Sequence, residues 1–276
     1  MDIVNCLYPI VTTHLINELT SKLMKKHKSF LIILILSLIF ISCDSDDSND
    51  IANENLNLKL IKIDFFDSDN NLTGTTNFIY DEELRLIAQQ DINGNDIFTY
   101  TYENNKIKTI TSNGGTIINY IYENGFIVSS SSTINGVLSP NVLEYEYDNM
   151  NRLINTKIYV NGNLNCEIDD TLDDHNNIEI SISSCQGNQP NQNSFEYDEM
   201  KNPSSLYFNP ELLKVLRVGT NNSIESYDND MNLTSSSSYQ YNNEDYPSVS
   251  IITNTIHNTI YGLSEFRNEY TYENIE

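Results

Sequence analysis

The sequence predicts an all-β protein: an antiparallel meander of repeated β-hairpins, a wide sheet that is curled or barrel-like, with one short helix around residues 210–218. Three observations predict it. A signature of aromatic, any residue, Tyr, then an acid or Asn recurs along the chain. The segments that carry it alternate with a period of two. Tight-turn residues separate them, with no crossover helices between, which is the plan of an antiparallel meander.

The signature stands at Phe78-Ile79-Tyr80-Asp81, Tyr100-Thr101-Tyr102-Glu103, Tyr120-Ile121-Tyr122-Glu123 and Tyr145-Glu146-Tyr147-Asp148. It returns at Phe195-Glu196-Tyr197-Asp198, Tyr239-Gln240-Tyr241-Asn242 and Tyr270-Thr271-Tyr272-Glu273. Cys166-Glu167-Ile168-Asp169 fills the gap as a degenerate copy. The first spacings between second positions are 22, 20, 25 and 21 residues. A unit of ~20–25 residues holds two strands and two tight turns. The whole domain is expected to hold about 12–14 strands.

Alternation decides for strand over helix. Phe98, Tyr100 and Tyr102 share one face, as do Ile118, Tyr120 and Tyr122, and again Leu143, Tyr145 and Tyr147. A helix would scatter these residues around its circumference. The turns agree. Asn93-Gly94, Asn113-Gly114, Asn135-Gly136 and Asn161-Gly162 suit type I′ hairpins, which need positive φ at both central positions. Acid-Asn turns such as Glu103-Asn104-Asn105 close the other end.

One segment breaks the rhythm. Asn209 is a helix N-cap, Pro210 fits the first turn and Gly219 marks the end, giving a helix of about eight residues. Leu212, Leu213, Val215 and Leu216 would pack it on the sheet and close one mouth.

The stretch Tyr145-Glu146-Tyr147-Asp148-Asn149-Met150-Asn151-Arg152-Leu153 resembles YD (RHS-type) repeats. Together with the N-terminal signal below and Tyr197-Asp198-Glu199-Met200-Lys201-Asn202-Pro203, it resembles Bacteroidota lipoproteins with an uncharacterised domain described as porin-like in fold. The resemblance covers residues 56–276 and implies a wide antiparallel sheet, curled or barrel-like. It implies no activity.

The N-terminal part is an address. Residues 24–42 carry a basic start, Lys25, Lys26 and Lys28, then an apolar run from Phe30 to Ile41, which is the plan of a signal peptide. Ser42-Cys43 resembles the lipobox of bacterial lipoproteins, with Phe40 where that family most often has Leu. Cys43 is therefore the expected lipidation site, joining the mature chain to a lipid bilayer. Residues 1–23 fit no signal plan and are read as an upstream extension, with Met24 the true start. Residues 43–55 form an acidic tether, and residues 56–276 the β domain. Asp44-Ser45-Asp46-Asp47-Ser48-Asn49-Asp50 resembles the acidic export signal of surface lipoproteins, which implies an outer-membrane lipoprotein exposed on the cell surface.

The full chain has 39 acidic and 15 basic residues, a net charge of −24. Removing residues 1–42, with four Lys and two acids, leaves 11 basic and 37 acidic residues, or −26. Nucleic acid is excluded as a partner, since phosphate binding needs clustered Lys and Arg.

Candidate sites are few. Tyr100, Tyr102, Tyr120, Tyr122, Tyr145 and Tyr147 form a ladder on one face, either an inner packing layer or an aromatic platform for a glycan or peptide. Cys166 and Cys185 flank a turn centred near residue 175, so a hairpin would set them opposite each other for a disulfide. Asp67-Ser68-Asp69-Asn70-Asn71 and Asp228-Asn229-Asp230-Met231-Asn232 have the spacing that opens a calcium loop, but Leu72 and Leu233 replace its Gly and Phe78 and Tyr239 its Glu. Asp169, Asp170, Asp173 and Asp174 make another oxygen-rich stretch. These are read as hydrophilic turns, and no metal or cofactor is expected. His175 and His257 stand in no catalytic motif. The function expected is a non-enzymatic binding or interaction module for an unidentified protein or glycan. A polysaccharide-acting enzyme using two carboxylates, or a purely structural envelope component, are the alternatives.

Overall fold

The computed structural model describes residues 58–254 and 264–275. Cys43, His257 and the segments 1–55 lie outside the described residues. Sixteen strands follow one another along the chain. They are β1 (Leu58–Phe66), β2 (Leu72–Tyr80), β3 (Leu86–Gln90), β4 (Asp96–Glu103), β5 (Lys106–Ser112), β6 (Thr116–Glu123), β7 (Phe126–Ile134) and β8 (Val137–Tyr147). Then come β9 (Leu153–Val160), β10 (Asn163–Leu172), β11 (Ile178–Cys185), β12 (Asn191–Lys201), β13 (Asn221–Tyr227), β14 (Leu233–Tyr241), β15 (Pro247–Asn254) and β16 (Ser264–Asn274). Each pairs antiparallel with its sequence neighbours, and β1 pairs with β16 to close a barrel. Ile63 faces Thr76 of β2 on one side and Tyr270 of β16 on the other.

The count exceeds the 12–14 strands expected because every copy of the signature contributes a full hairpin, including the degenerate one. That copy sits four residues later than the sequence indicated. A register shift falls at the second signature tyrosine of each even strand: before Tyr80, Tyr102, Tyr122, Tyr147 and Tyr241. In β10 the same shift falls before Leu172. Asp170-Thr171-Leu172-Asp173 is thus the structural copy, and Cys166-Glu167-Ile168-Asp169 is plain strand above it.

The signature acid is a turn device. Oδ1 of Asp148 accepts the backbone N–H groups of Met150 and Arg152, both at 2.9 Å, while Asn151 takes φ of 63°. Asp81 and Asp173 do the same for the residues two and four positions on. The short Asp side chain reaches these donors. Where Glu stands instead, the turn is two residues long and its acid does not cap it: Asn104 and Asn105 have φ of 52° and 60°.

Two of the four Asn-Gly pairs form the expected type I′ turns, with positive φ at both residues of Asn135-Gly136 and Asn161-Gly162. At Asn93-Gly94 only Gly94 is left-handed, and at Asn113-Gly114 it is the next residue, Gly115. The Asp91 carboxylate explains the first case. It accepts N–H bonds from Asn93 and Asn95 at 2.8 and 2.9 Å, which fixes a three-residue loop with one left-handed position.

Between β12 and β13 the chain leaves the wall. A 3₁₀ turn (Pro203–Leu206) leads to the helix α1 (Pro210–Val215). Asn209 caps α1, accepting the Leu212 N–H at 2.8 Å. Arg217, not Gly219, takes the left-handed position that ends it, at φ 58°. This plug fills the mouth at which the signature turns lie. Leu212 is fully buried, worth about 1.5–3 kcal/mol of apolar transfer. Val215 and Leu216 pack on the same core. The Tyr207 ring lies 4.9 Å from Phe78 of β2, and Phe208 lies 5.8 Å from Tyr100 of β4. Both β1 and β16 also meet this mouth, Leu60 pairing with Tyr272.

Candidate functional site

The barrel interior is the candidate site, and the signature positions its walls. The first signature tyrosines point inward and are buried: Tyr100 is 7% exposed, Tyr120 3% and Tyr145 8%. The second tyrosines act as pegs at the plugged mouth. Their hydroxyls donate to the carbonyl where the preceding strand begins: Tyr80 to Leu60 at 2.7 Å, Tyr102 to Leu86 at 2.7 Å and Tyr147 to Ile127 at 2.8 Å. Tyr197 reaches Ile178 at 3.0 Å and Tyr272 reaches Pro247 at 2.6 Å. Tyr122 and Tyr241 make no such bond: the buried Tyr122 hydroxyl lies beside Asn209 and Glu211 of the plug, and Tyr241 donates to the Asp198 carboxylate. Burial disfavours the phenolate, so Tyr102 is pushed up to about 12 and Tyr147 rises further. Tyr100, Tyr120 and Tyr145 serve as packing and do not offer the exposed face of a platform. Tyr102, Tyr122 and Tyr147 are half-buried.

Where the ladder reaches β10, Asp170 replaces the first tyrosine, and a charge pair replaces the ring. Arg217 of the plug meets both carboxylate oxygens, its Nε lying 2.9 Å from Oδ2, and donates to Ser181 Oγ at 2.7 Å. The Asp170 side chain is 1% exposed and that of Arg217 15%. Sequence reading missed this latch, because nothing local connects residues 47 apart. The one available signal was Leu172-Asp173, which keeps the turn plan with an acid two places earlier. Beside the latch, Asn177 fastens the return of the plug to the wall. Its Oδ1 accepts the N–H groups of Thr220 and Asn221 at 2.6 and 3.0 Å.

Charge is sorted by face. Among the described residues, Asp170 is the single carboxylate on inward strand positions between the rims, and Arg217 neutralises it. The inward side is otherwise tyrosine, aliphatic, hydroxyl and amide. Ser130, Ser181, Ser183, Ser226 and Ser250 are buried there. The charges stand outside. Lys59 lies 2.9 Å from Glu273, Lys62 lies 2.6 Å from Asp64, and Lys157 contacts Glu146 with Glu167 at 3.9 Å. A lipid-facing wall needs an apolar band about 25 Å tall, and a Lys or Arg at its midplane costs about 2–4 kcal/mol. This outer face is composed for water. Among the described residues, no helix is long and apolar enough to cross a membrane.

Cys166 and Cys185 stand directly opposite on β10 and β11, their Cα atoms 4.0 Å apart and their sulfurs joined. The acidic stretches serve turns. The Asp67 and Asp228 carboxylates are taken up by backbone and side-chain N–H groups, Asn71 on the first and Asn232 on the second. Asp169 bonds Asn155 at 2.7 Å while Asp170 faces the plug, so these neighbours do not share one loop. His175 sits in the Asp173 turn, its N–H donating to that carboxylate at 2.8 Å. A glycosidase needs two carboxyl groups set across a sugar, about 5–10 Å apart. Among the described residues the inward strand positions between the rims supply Asp170, paired with Arg217, and the plug adds Glu211 beside Lys214.

No family model matches the sequence, and no curated protein matches it. Solved structures share the fold. A porin-like protein from Bacteroides uniformis superposes with a TM-score of 0.53 at 16% identity, over 78% of this chain and 98% of that chain. A porin-like protein from Bacteroides vulgatus gives 0.50 at 12% identity, again over 78% and 98%. The Photorhabdus luminescens Tc holotoxin pore reaches 0.32 at 11% identity, over 69% of this chain and 13% of that one.

Proposed function

We propose that this chain is a non-enzymatic binding module of the bacterial cell envelope, held to the outer membrane by a lipid on Cys43 and displayed at the cell surface. The sorting of charge carries the reading: among the described residues the wall turns its charges to water and keeps, on inward strand positions between the rims, the Asp170–Arg217 pair. Such a barrel stands in water beside a membrane and needs a tether to stay there. Residues 43–55 would supply that tether, and Leu58, where β1 begins, lies at the plugged mouth. The plug would then face the membrane and the opposite mouth would face away. A disulfide between Cys166 and Cys185 suits an oxidising compartment.

Detergent phase partition of the full-length protein, made in a host that processes lipoproteins, tests the reading. Wild type should enter the detergent phase, and Cys43→Ser should stay folded in the aqueous phase. A Cys43→Ser protein that still enters detergent would mean that the barrel itself inserts. Protease shaving of intact cells checks display, with cleavage expected at the acidic tether. Thiol titration of the unfolded, unreduced protein should find no free thiol at Cys166 or Cys185.

A further inference from the structure

Beyond the tyrosine layer the inward side chains are less completely buried. Sixteen strands close a ring too wide for side chains to fill, whereas about eight just suffice. One layer further from the plug, inward residues keep part of their surface accessible: Phe98, Ile118, Ile252 and Phe266 are all half-buried. Each of three pairs with a serine on a neighbouring strand. Phe98 lies opposite Ser112, Ile118 opposite Ser132, and Ile252 opposite Ser237. Rings and branched aliphatics therefore lie beside hydroxyls at three places, and beside one another at Ile252–Phe266 and Ile110–Ile118. The wall also holds unmet hydrogen-bonding capacity, since the hydroxyls of Ser132 and Thr156 are buried without a partner. In a native interior such groups call for an explanation.

Resting on the reading of the chain as a binding module, we propose that this layer of the lumen is a binding site for a neutral oligosaccharide. A sugar ring presents a C–H face that packs on Phe or Ile, and its rim of hydroxyls matches Ser, Thr and Asn as both donors and acceptors. A charged ligand would lose its hydration and find no counter-charge, since Asp170 and Arg217 already satisfy each other. An alkyl chain would leave the serine hydroxyls unpaired, at about 1–3 kcal/mol each.

The test is calorimetric titration of the full-length protein with neutral hexasaccharides of differing linkage: maltohexaose, cellohexaose, laminarihexaose, mannohexaose and xylohexaose. Hexagalacturonate serves as the charged counterpart, and a neutral Gly/Ser/Ala hexapeptide and dodecanol as the other chemistries. At least one neutral sugar should bind, and hexagalacturonate at least about tenfold more weakly. Phe98→Ala and Phe266→Ala should each weaken that binding about tenfold. Ser237→Ala removes one hydroxyl without opening the wall and should weaken it about threefold, with the melting temperature checked for every variant. Equal or tighter binding of hexagalacturonate, or binding untouched by all three substitutions, would overturn the proposal. Binding of the peptide or the alcohol alone would overturn the sugar class and leave the module reading standing. If none of the probes binds, the sugar proposal is overturned, while the module reading is judged separately by the detergent partition and protease shaving above.

Discussion

Strands β8 and β10 are laid to one plan and filled differently. Each ends with a register shift at its last inward residue, then an Asp that caps the turn through N–H groups two and four positions on. In β8 the inward pair is Tyr145 and Tyr147, one bonded to Ser130 at 2.8 Å and the other to the Ile127 carbonyl. In β10 the pair is Asp170 and Leu172, and the acid reaches across to the plug. The repeat therefore fixes the turn and the bulge and leaves the inward residue free. The wall around β2 to β8 uses that freedom for an aromatic core. The wall around β10 and β11 uses it to hold the plug, with buried hydroxyls and amides in place of rings.

The largest effect should come at β10. Asp170→Ala strands the Arg217 guanidinium in the interior and should lower unfolding free energy by about 3–5 kcal/mol. Asp170→Leu combined with Arg217→Leu should recover most of that loss, read by urea unfolding of both proteins. If the single variant is as stable as wild type, the latch is not holding the plug. A smaller contrast lies between the two kinds of turn. Asp148→Ala loses two N–H bonds and the Arg152 contact at 2.8 Å, so about 1–2 kcal/mol is expected. Glu123→Ala should change stability by no more than about 0.5 kcal/mol, because the Asn124-Gly125 turn is held by its backbone. Equal effects at the two sites would erase the distinction between Asp and Glu turns. At the pegs, Tyr147→Phe should cost about 1 kcal/mol, the worth of one hydroxyl-to-carbonyl bond.

The smallest effect is with pH. Backbone and side-chain hydrogen bonds from Asn71 hold the Asp67 carboxyl below its usual 3.8, and bonds from Asn95 and Asn232 do so for Asp91 and Asp228. A folded-state value below the unfolded one adds stability above pH 3.8, and that stability is lost as pH falls through the folded value. Melting temperature should therefore decline below about pH 4, and Asp67→Asn should flatten that decline slightly. A melting temperature that holds steady or rises through this range would contradict the capping role.

Much of this was legible before the structure. Tyr-x-Tyr followed by an acid marks the even strands, and its alternation places Tyr100, Tyr120 and Tyr145 on one face. Asn209 and Pro210 mark the start of the plug helix. What alternation does not state is which face turns inward, because period two is the same for an open sheet and a barrel. Closure is a contact between Leu58–Phe66 and Ser264–Asn274, some two hundred residues apart, with no local signal. The turn class at Asn93-Gly94 was hidden for a different reason: it depends on the Asp91 side chain two residues earlier, which overrides the dipeptide. Arg217 was unreadable as a site because its partner is set by where the plug crosses the mouth.

Closure of the wall can be tested by one covalent bond. Lys62 of β1 and Thr271 of β16 are partners in register on the outer face. In the Lys62→Cys, Thr271→Cys protein, mild oxidation should link the two new cysteines within one chain, seen as a cross-linked peptide pair by mass spectrometry. Failure to link, or links only between chains, would mean that the first and last strands do not meet and that there is no barrel.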